Sequence, residues 1–115
     1  MQIINIGTDI EEVRRFENLD IKILRRLFTK AELDYCLKSK NKAQHLAVRF
    51  AAKEAVFKAL PFEEIALKKI EIIRKQGAKP QIIVHDERAK DLFFKLSLSH
   101  TKNNAVAFVI ALKDE

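Results

Sequence analysis

This chain of 115 residues contains no tryptophan, one tyrosine, one cysteine, two glycines and two prolines. A lone thiol cannot close a disulfide within the chain. Cys36 also has no cysteine or histidine at a ligand spacing, so it reads as a small apolar residue. Neither a GxxxxGK[ST] nor a GxGxxG loop is present, and any phosphate must be held by side chains or helix ends. None of the three histidines stands at a zinc-binding spacing. No apolar run approaches the roughly 20 residues that cross a bilayer, which argues against a membrane protein. The opening MQIINIGTDI is strand-like and carries an acid, Asp9, near its end, unlike a secretory leader. The cytoplasm is the expected compartment.

Positive charge is plentiful. The formal net charge of +6 calls for an anionic partner, and nucleic acid, an acidic protein and a phosphorylated cofactor all satisfy that sign. A nucleic-acid module would interleave aromatic and basic residues on an open face. The lone Tyr35, the lack of tryptophan and phenylalanines set in apolar helical stretches do not supply one. The length fits one domain over residues 1–115, with no repeat, low-complexity tract or linker.

Ile3 to Ile6 reads as a short strand, followed by a short helix from Glu11 to Leu19 and a second from Ile21 to Leu27. Thr29-Lys30-Ala31-Glu32 is a capping-box pattern that starts a helix at Lys30, running to about Lys38. After the basic connection Lys38 to Lys42, a long helix covers Ala43 to Leu60 and stops before Pro61. Lys69 to Arg74 and Gln81 to Val84 read as strands around a turn at Gly77 and Pro80. Asp86 caps a short helix, Glu87 to Lys95, with Ala89, Leu92 and Phe93 inward. Leu96 to His100 and Ala105 to Leu112 form a closing hairpin through Thr101 to Asn104. The fold class is α+β, a small antiparallel sheet packed against a long buried helix and shorter helices.

The long helix is the most informative segment. It is apolar around almost its whole circumference, as a buried helix is, yet it carries Arg49, Lys53, Glu54 and Lys58. A buried charge is costly unless it meets an opposite charge, a metal or an ionic ligand. Glu54 and Lys58 stand at i,i+4 in the order that favours pairing with each other. Alternatively, Glu54 and Asp9, at the end of the first strand, form an oxygen-only pair suited to a hard ion such as Mg²⁺, with Lys58 placing a cation on the same phosphates. Asp9 has a second reading as the cap of the Glu11 helix. His100 stands at the turn end of the hairpin, and His45 and His85 read as surface histidines. Ser97 and Ser99 alternate with leucines as a strand requires, and read as sheet pattern.

Taken together, IGTDIEEVRRFE (Ile6 to Glu17), FTKAEL (Phe28 to Leu33), RFAAKEAVFKAL (Arg49 to Leu60) and LSLSHTKNNAVAFVIAL (Leu96 to Leu112) resemble the bacterial holo-acyl-carrier-protein synthases, small 4′-phosphopantetheinyl transferases. The G-x-D and K-E-A-x-x-K motifs and the S-H-T hairpin occur in the family's order and bracket nearly the whole chain. The resemblance implies transfer of 4′-phosphopantetheine from coenzyme A to a serine of apo-acyl carrier protein, in fatty acid biosynthesis. It implies that Asp9 and Glu54 bind Mg²⁺, that Lys58 contacts the pyrophosphate, and that Arg49, His100 and Thr101 contact the nucleotide and its 3′-phosphate. Arg15, extended by Arg25 and Arg26, is implied as the contact for the carrier protein's acidic helix. The family's members are typically homotrimers with an active site at each subunit interface. The glycine-rich segment common after the K-E-A-x-x-K helix is replaced here by PFEEIAL, Pro61 to Leu67, which bears on selectivity and leaves the metal and phosphate positions intact. The readings set against this one are a small basic nucleic-acid-binding module, which gives Asp9 and Glu54 no role, and a non-catalytic carrier-protein binder, against which the intact Asp9, Glu54 and Lys58 argue.

Overall fold

A computed structural model describes residues 1–75 and 77–114. The expected turn at Gly77 and Pro80 also includes Gln76, which lies outside the described residues. Gly77 has φ 77°, a left-handed conformation that glycine adopts without cost.

The first strand, β1, spans Gln2–Glu12, much longer than the Ile3 to Ile6 segment expected. It pairs antiparallel with β5 (Asn104–Lys113), which pairs antiparallel with β4 (Leu92–His100), giving the order β1-β5-β4. The polarity of β1 is inverted: Gly7, Asp9 and Glu11 are buried or half-buried, while Ile6 and Ile10 are exposed. That inversion hides the strand from a search for apolar residues on an inner face. The Glu11–Leu19 helix shrinks accordingly to one 3₁₀ turn, Val13–Phe16. Asp9 therefore sits inside a strand and caps nothing.

The Glu87–Lys95 helix is also corrected. Only Glu87–Ala89 forms a 3₁₀ turn, capped by Asp86, and β4 begins at Leu92. Leu92, Phe94, Leu96 and Leu98 alternate inward along β4, which turns Phe93 outward, 45% exposed. A second, two-stranded sheet joins β2 (Ile70–Ile73) and β3 (Gln81–Val84).

Helix α1 (Ile21–Leu27) starts at Asp20, whose carboxylate accepts from the Lys22 N–H. Helix α2 (Lys30–Leu37) opens with the capping box: the Thr29 hydroxyl accepts from the Glu32 N–H, and Glu32 accepts from the Thr29 N–H. Helix α3 (Lys42–Ala59) ends at Leu60 in extended conformation, ahead of Pro61. It lays Ala51, Ala52, Ala55, Val56 and Ala59 against Ala107, Val109 and Ala111 of β5 and Ile70 and Ile72 of β2. Alanine on both surfaces lets helix and sheet approach closely. The start of α3 packs with Phe16, Leu24 and Phe28 in a second cluster. No helix among the described residues is long and apolar enough to cross a membrane.

Lys53 is fully buried, and its ammonium donates to Glu32 Oε1 at 2.6 Å; both side chains are 0% exposed. Glu32 Oε2 accepts from the Ile72 N–H at 2.9 Å, so one carboxylate joins α2, α3 and β2. Burial pulls the Lys53 ammonium below its usual range, and Glu32 opposes that. Removing one member of a buried pair strands the other's charge. Lys53→Met is expected to lower the unfolding free energy by about 3–5 kcal/mol, read by urea unfolding; a loss below about 1 kcal/mol would show that the pair does not hold these elements together.

Candidate active site

The constraint that builds the site is at Gly7. A Cβ there would run into the carbonyl oxygen of Ala55 and lie 3.1 Å from the Ala59 nitrogen. Without it, β1 lies directly on α3. Asp9 and Glu11, at two-residue spacing on the inward face, then reach the side of α3 that carries Glu54 and Lys58.

Lys58 Nζ lies 3.3 Å from Asp9 Oδ1 and 3.0 Å from the Thr8 carbonyl oxygen. The pairing of Lys58 with Glu54 is thus replaced by one across to β1. Asp9 is 13% exposed, and its Oδ2 is buried with no hydrogen-bond partner. Glu11, 7% exposed, forms an ion pair with Arg15. Burial, then the Asp9 carboxylate beside it, pushes the Glu11 carboxyl up to about 8, against the pull of Arg15. Half-buried Glu54 is raised by burial and by Asp9, with Lys58 and Arg15 opposing. Asp9 thus raises both Glu11 and Glu54, as neighbouring like charges do, and one of its own oxygens is left without a donor. Sequence reasoning passed over Glu11 because it was assigned to a helix; the two-residue offset from Asp9 in a strand was the signal that finds it.

A second group lies on another side of α3. Arg49 and Glu54 are five residues apart, ~140° around the helix and ~7.5 Å along it. Arg49 is 5% exposed, and its guanidinium lies 4.1 Å from the Tyr35 ring centroid. Its Nη1 donates to the His45 carbonyl oxygen at 3.5 Å, while its Nε is buried without a partner. Arg49 and His100, which the family resemblance joins in one role, line one cavity. Thr101 is adjacent: its carbonyl accepts from Gln44 Nε2 at 3.1 Å, tying the hairpin turn to α3. Its hydroxyl accepts from the Asn104 N–H at 3.1 Å.

The third set is on the surface. Arg15 is exposed in the turn after β1, and Arg25 and Arg26 are exposed on α1. Phe16 and Leu24 share one apolar cluster, so the turn and α1 are neighbours.

Comparison with known proteins identifies the family and the fold. The sequence pattern of the 4′-phosphopantetheinyl transferase superfamily matches residues 5–110. A holo-[acyl-carrier-protein] synthase of Geobacter sp. (strain M21) is 38% identical over 122 positions, covering 94% of this chain and 97% of the relative. One from Moorella thermoacetica is 42% identical over 123 positions, covering 96% and 93%. Among solved structures, the Bacillus anthracis holo-(acyl-carrier-protein) synthase, in complex with CoA (3′,5′-ADP), superimposes with a TM-score of 0.85 at 32% identity, over 99% of this chain and 100% of that one.

Because Asp9 reaches Lys58 only through the close approach at Gly7, Gly7→Ala is expected to cost about 1–3 kcal/mol in urea unfolding as strand and helix are forced apart. Unchanged stability would mean that the contact with Ala55 is not the constraint described.

Proposed function

This chain belongs to the 4′-phosphopantetheinyl transferase superfamily, and on that premise we propose how its residues carry the reaction. The chain transfers 4′-phosphopantetheine from coenzyme A to a serine of apo-acyl carrier protein. The serine oxygen bonds to the phosphorus that bears the pantetheine arm, the pyrophosphate bridge breaks, and adenosine 3′,5′-bisphosphate leaves. Residues 1–115 act as one transferase domain, placed in the cytoplasm and in fatty acid biosynthesis.

The observation that carries the site assignment is the buried, unpartnered Asp9 Oδ2 beside Glu54, with Lys58 one turn further along the same helix. An all-oxygen donor set of this kind fits Mg²⁺, with Asp9 and Glu54 holding it. When bound, Mg²⁺ neutralises developing charge on the pyrophosphate. Lys58, 51% exposed and paired with Asp9 at 3.3 Å, can leave that partner for a phosphate oxygen. Arg49, His100 and Thr101 hold the nucleotide end of coenzyme A. Positioning and charge neutralisation supply most of the catalysis in such a displacement, because the transferred phosphorus needs no covalent help from the protein.

Arg15 keeps free donors beyond its pair with Glu11, since a guanidinium carries five N–H groups. Together with Arg25 and Arg26 it offers an exposed basic surface to an acidic helix of the carrier protein. The assembly is a homotrimer with interfacial active sites. Ile6, Ile10, Phe93, Val106 and Phe108 are all exposed on the face of the three-stranded sheet away from α3. An apolar face of this kind is what a subunit contact buries. The opposed directions of Arg49 and Glu54 around α3 also favour sites that draw on two copies.

Intact mass of apo-acyl carrier protein, after incubation with this chain, coenzyme A and Mg²⁺, should rise by one phosphopantetheine, and EDTA should abolish the gain. Asp9→Ala and Glu54→Ala should each lose most of that turnover while staying folded; normal turnover in either would refute the metal assignment. Light scattering should give three chain masses, and Phe108→Glu should dissociate the trimer and abolish transfer. A wild-type monomer with full activity would overturn the interfacial sites.

A further inference from the structure

The cavity beside Arg49 holds two residues that no motif and no role above accounts for. His45, three residues into α3, and Arg74, just past β2, line it together with Arg49 and His100. Two guanidinium groups and two imidazoles thus converge on one cavity whose lining includes no carboxylate. Arg49 supplies the independent sign of a missing ligand: it is 5% exposed, lines the cavity, and keeps a buried Nε with no acceptor. Arg74 is exposed and is free to swing onto a bound group. Such a concentration of unneutralised positive charge is costly when empty and is relieved by a compact, multiply charged anion.

Coenzyme A carries two anionic groups, the pyrophosphate and the ribose 3′-phosphate monoester. The carboxylates and Lys58 claim the first. We propose that His45 and Arg74 are specificity-determining residues for the 3′-phosphate, so that the preference for coenzyme A over its 3′-dephospho form depends on both and is coupled to proton uptake by His45. The proposal rests on the nucleotide role of this cavity given above.

The surroundings of His45 support the coupling. On its own helix stand Arg49 and Gln44. His100 faces it from β4, and Arg74 from the end of β2. From α2 the Tyr35 ring meets it edge-on at 5.6 Å, and Asp34 and Lys38 share a shallower cavity on its other side. Burial first, then the charges of Arg49, His100 and Arg74, hold the His45 imidazole below its usual range. The free protein therefore carries it largely neutral at pH 7. A phosphate dianion among these groups reverses the balance and favours imidazolium. The bound state thus has the higher His45 pKa, so the proton-linked gain in affinity is present at low pH and is lost as pH rises through the bound-state value.

Calorimetry of adenosine 3′,5′-bisphosphate against adenosine 5′-monophosphate, in EDTA to silence the metal centre, separates the possibilities. The range from about pH 7 to about pH 8.5 lies above the second ionisation of the phosphate, so the slope reports the protein. Wild type should favour the bisphosphate by about tenfold or more, as charge-assisted hydrogen bonds to one phosphate allow, with the preference falling as pH rises. Arg74→Gln should cut bisphosphate affinity by about tenfold and leave the monophosphate within about twofold. His45→Gln should flatten the pH slope and reduce the protons taken up on binding, measured in two buffers of different ionisation enthalpy. If both variants keep the wild-type preference, slope and proton count while wild type still modifies carrier protein, the roles of His45 and Arg74 are refuted and the transferase reading stands. A wild type that neither discriminates the two nucleotides nor transfers the arm would overturn that reading itself.

Discussion

The site depends on one steric fact: β1 and α3 touch backbone to backbone at Gly7 and Ala55. A strand normally stands off a helix by the length of its side chains. At this contact there are none, and the strand's next inward residues, Asp9 and Glu11, are delivered against the helix wall at carboxylate range of Glu54 and Lys58. Alanines on α3 and β5 keep the helix close along the rest of its length, so the approach is maintained on both sides of the glycine. The repulsion among the carboxylates is thus imposed by packing. The core supplies the energy that holds these acidic groups together.

The four charges of α3 resolve into different kinds of partner, and this division organises the molecule. Lys53 is structural: Glu32 neutralises it where neither side chain meets solvent, and the same carboxylate binds the β2 backbone and completes the α2 cap. Glu54 and Lys58 look toward β1, and Lys58 is already matched to Asp9. Arg49 is stacked on Tyr35 and only partly satisfied by a carbonyl. One helix therefore contributes a fixed internal tie and two charged faces, each beside a buried polar atom that has no partner. The two lysines therefore differ in kind: removing Lys53 strands a buried carboxylate, whereas removing Lys58 leaves a half-exposed pair open to solvent.

Much of this was legible in the chain, and the failures have identifiable causes. FTKAEL announced the start of α2 because its capping box is local, with donor and acceptor within three residues of one another. The bounds of α3 followed from an unbroken apolar surface and Pro61. Strand β1 was read too short because, beyond Ile4, its inward residues are glycine and acids while Ile6 and Ile10 face outward, the reverse of a strand that buries its apolar side. Phe93 was misplaced for a related reason: apolar residues on both faces of β4 obscure the two-residue alternation. Glu11 and the Glu32–Lys53 tie were out of reach, since each needs contacts across 21 or more residues or a strand that had been read as a helix. His45 looked like surface because its cavity is made by β2 and β4, which approach α3 only in the folded chain.

Pro61 to Leu67 stands where the family resemblance leads one to expect a glycine-rich stretch. A glycine-rich stretch gains its shape from backbone freedom. Here shape comes from a side-chain brace: the Arg88 guanidinium lies 4.0 Å from the Phe62 ring centroid and donates to the Glu64 carbonyl oxygen at 2.8 Å. Asp86 fixes Arg88 in turn, and those hydrogen bonds hold the Asp86 carboxyl down at about 2. Phe62 and Ile65 pack onto the core beside α3. The brace and the acidic cluster share no residue, so the shape of this segment and the placing of Asp9, Glu54 and Lys58 are set independently. The charged residues are anchored where β1 meets α3, and this segment is held by side chains that lie outside that contact.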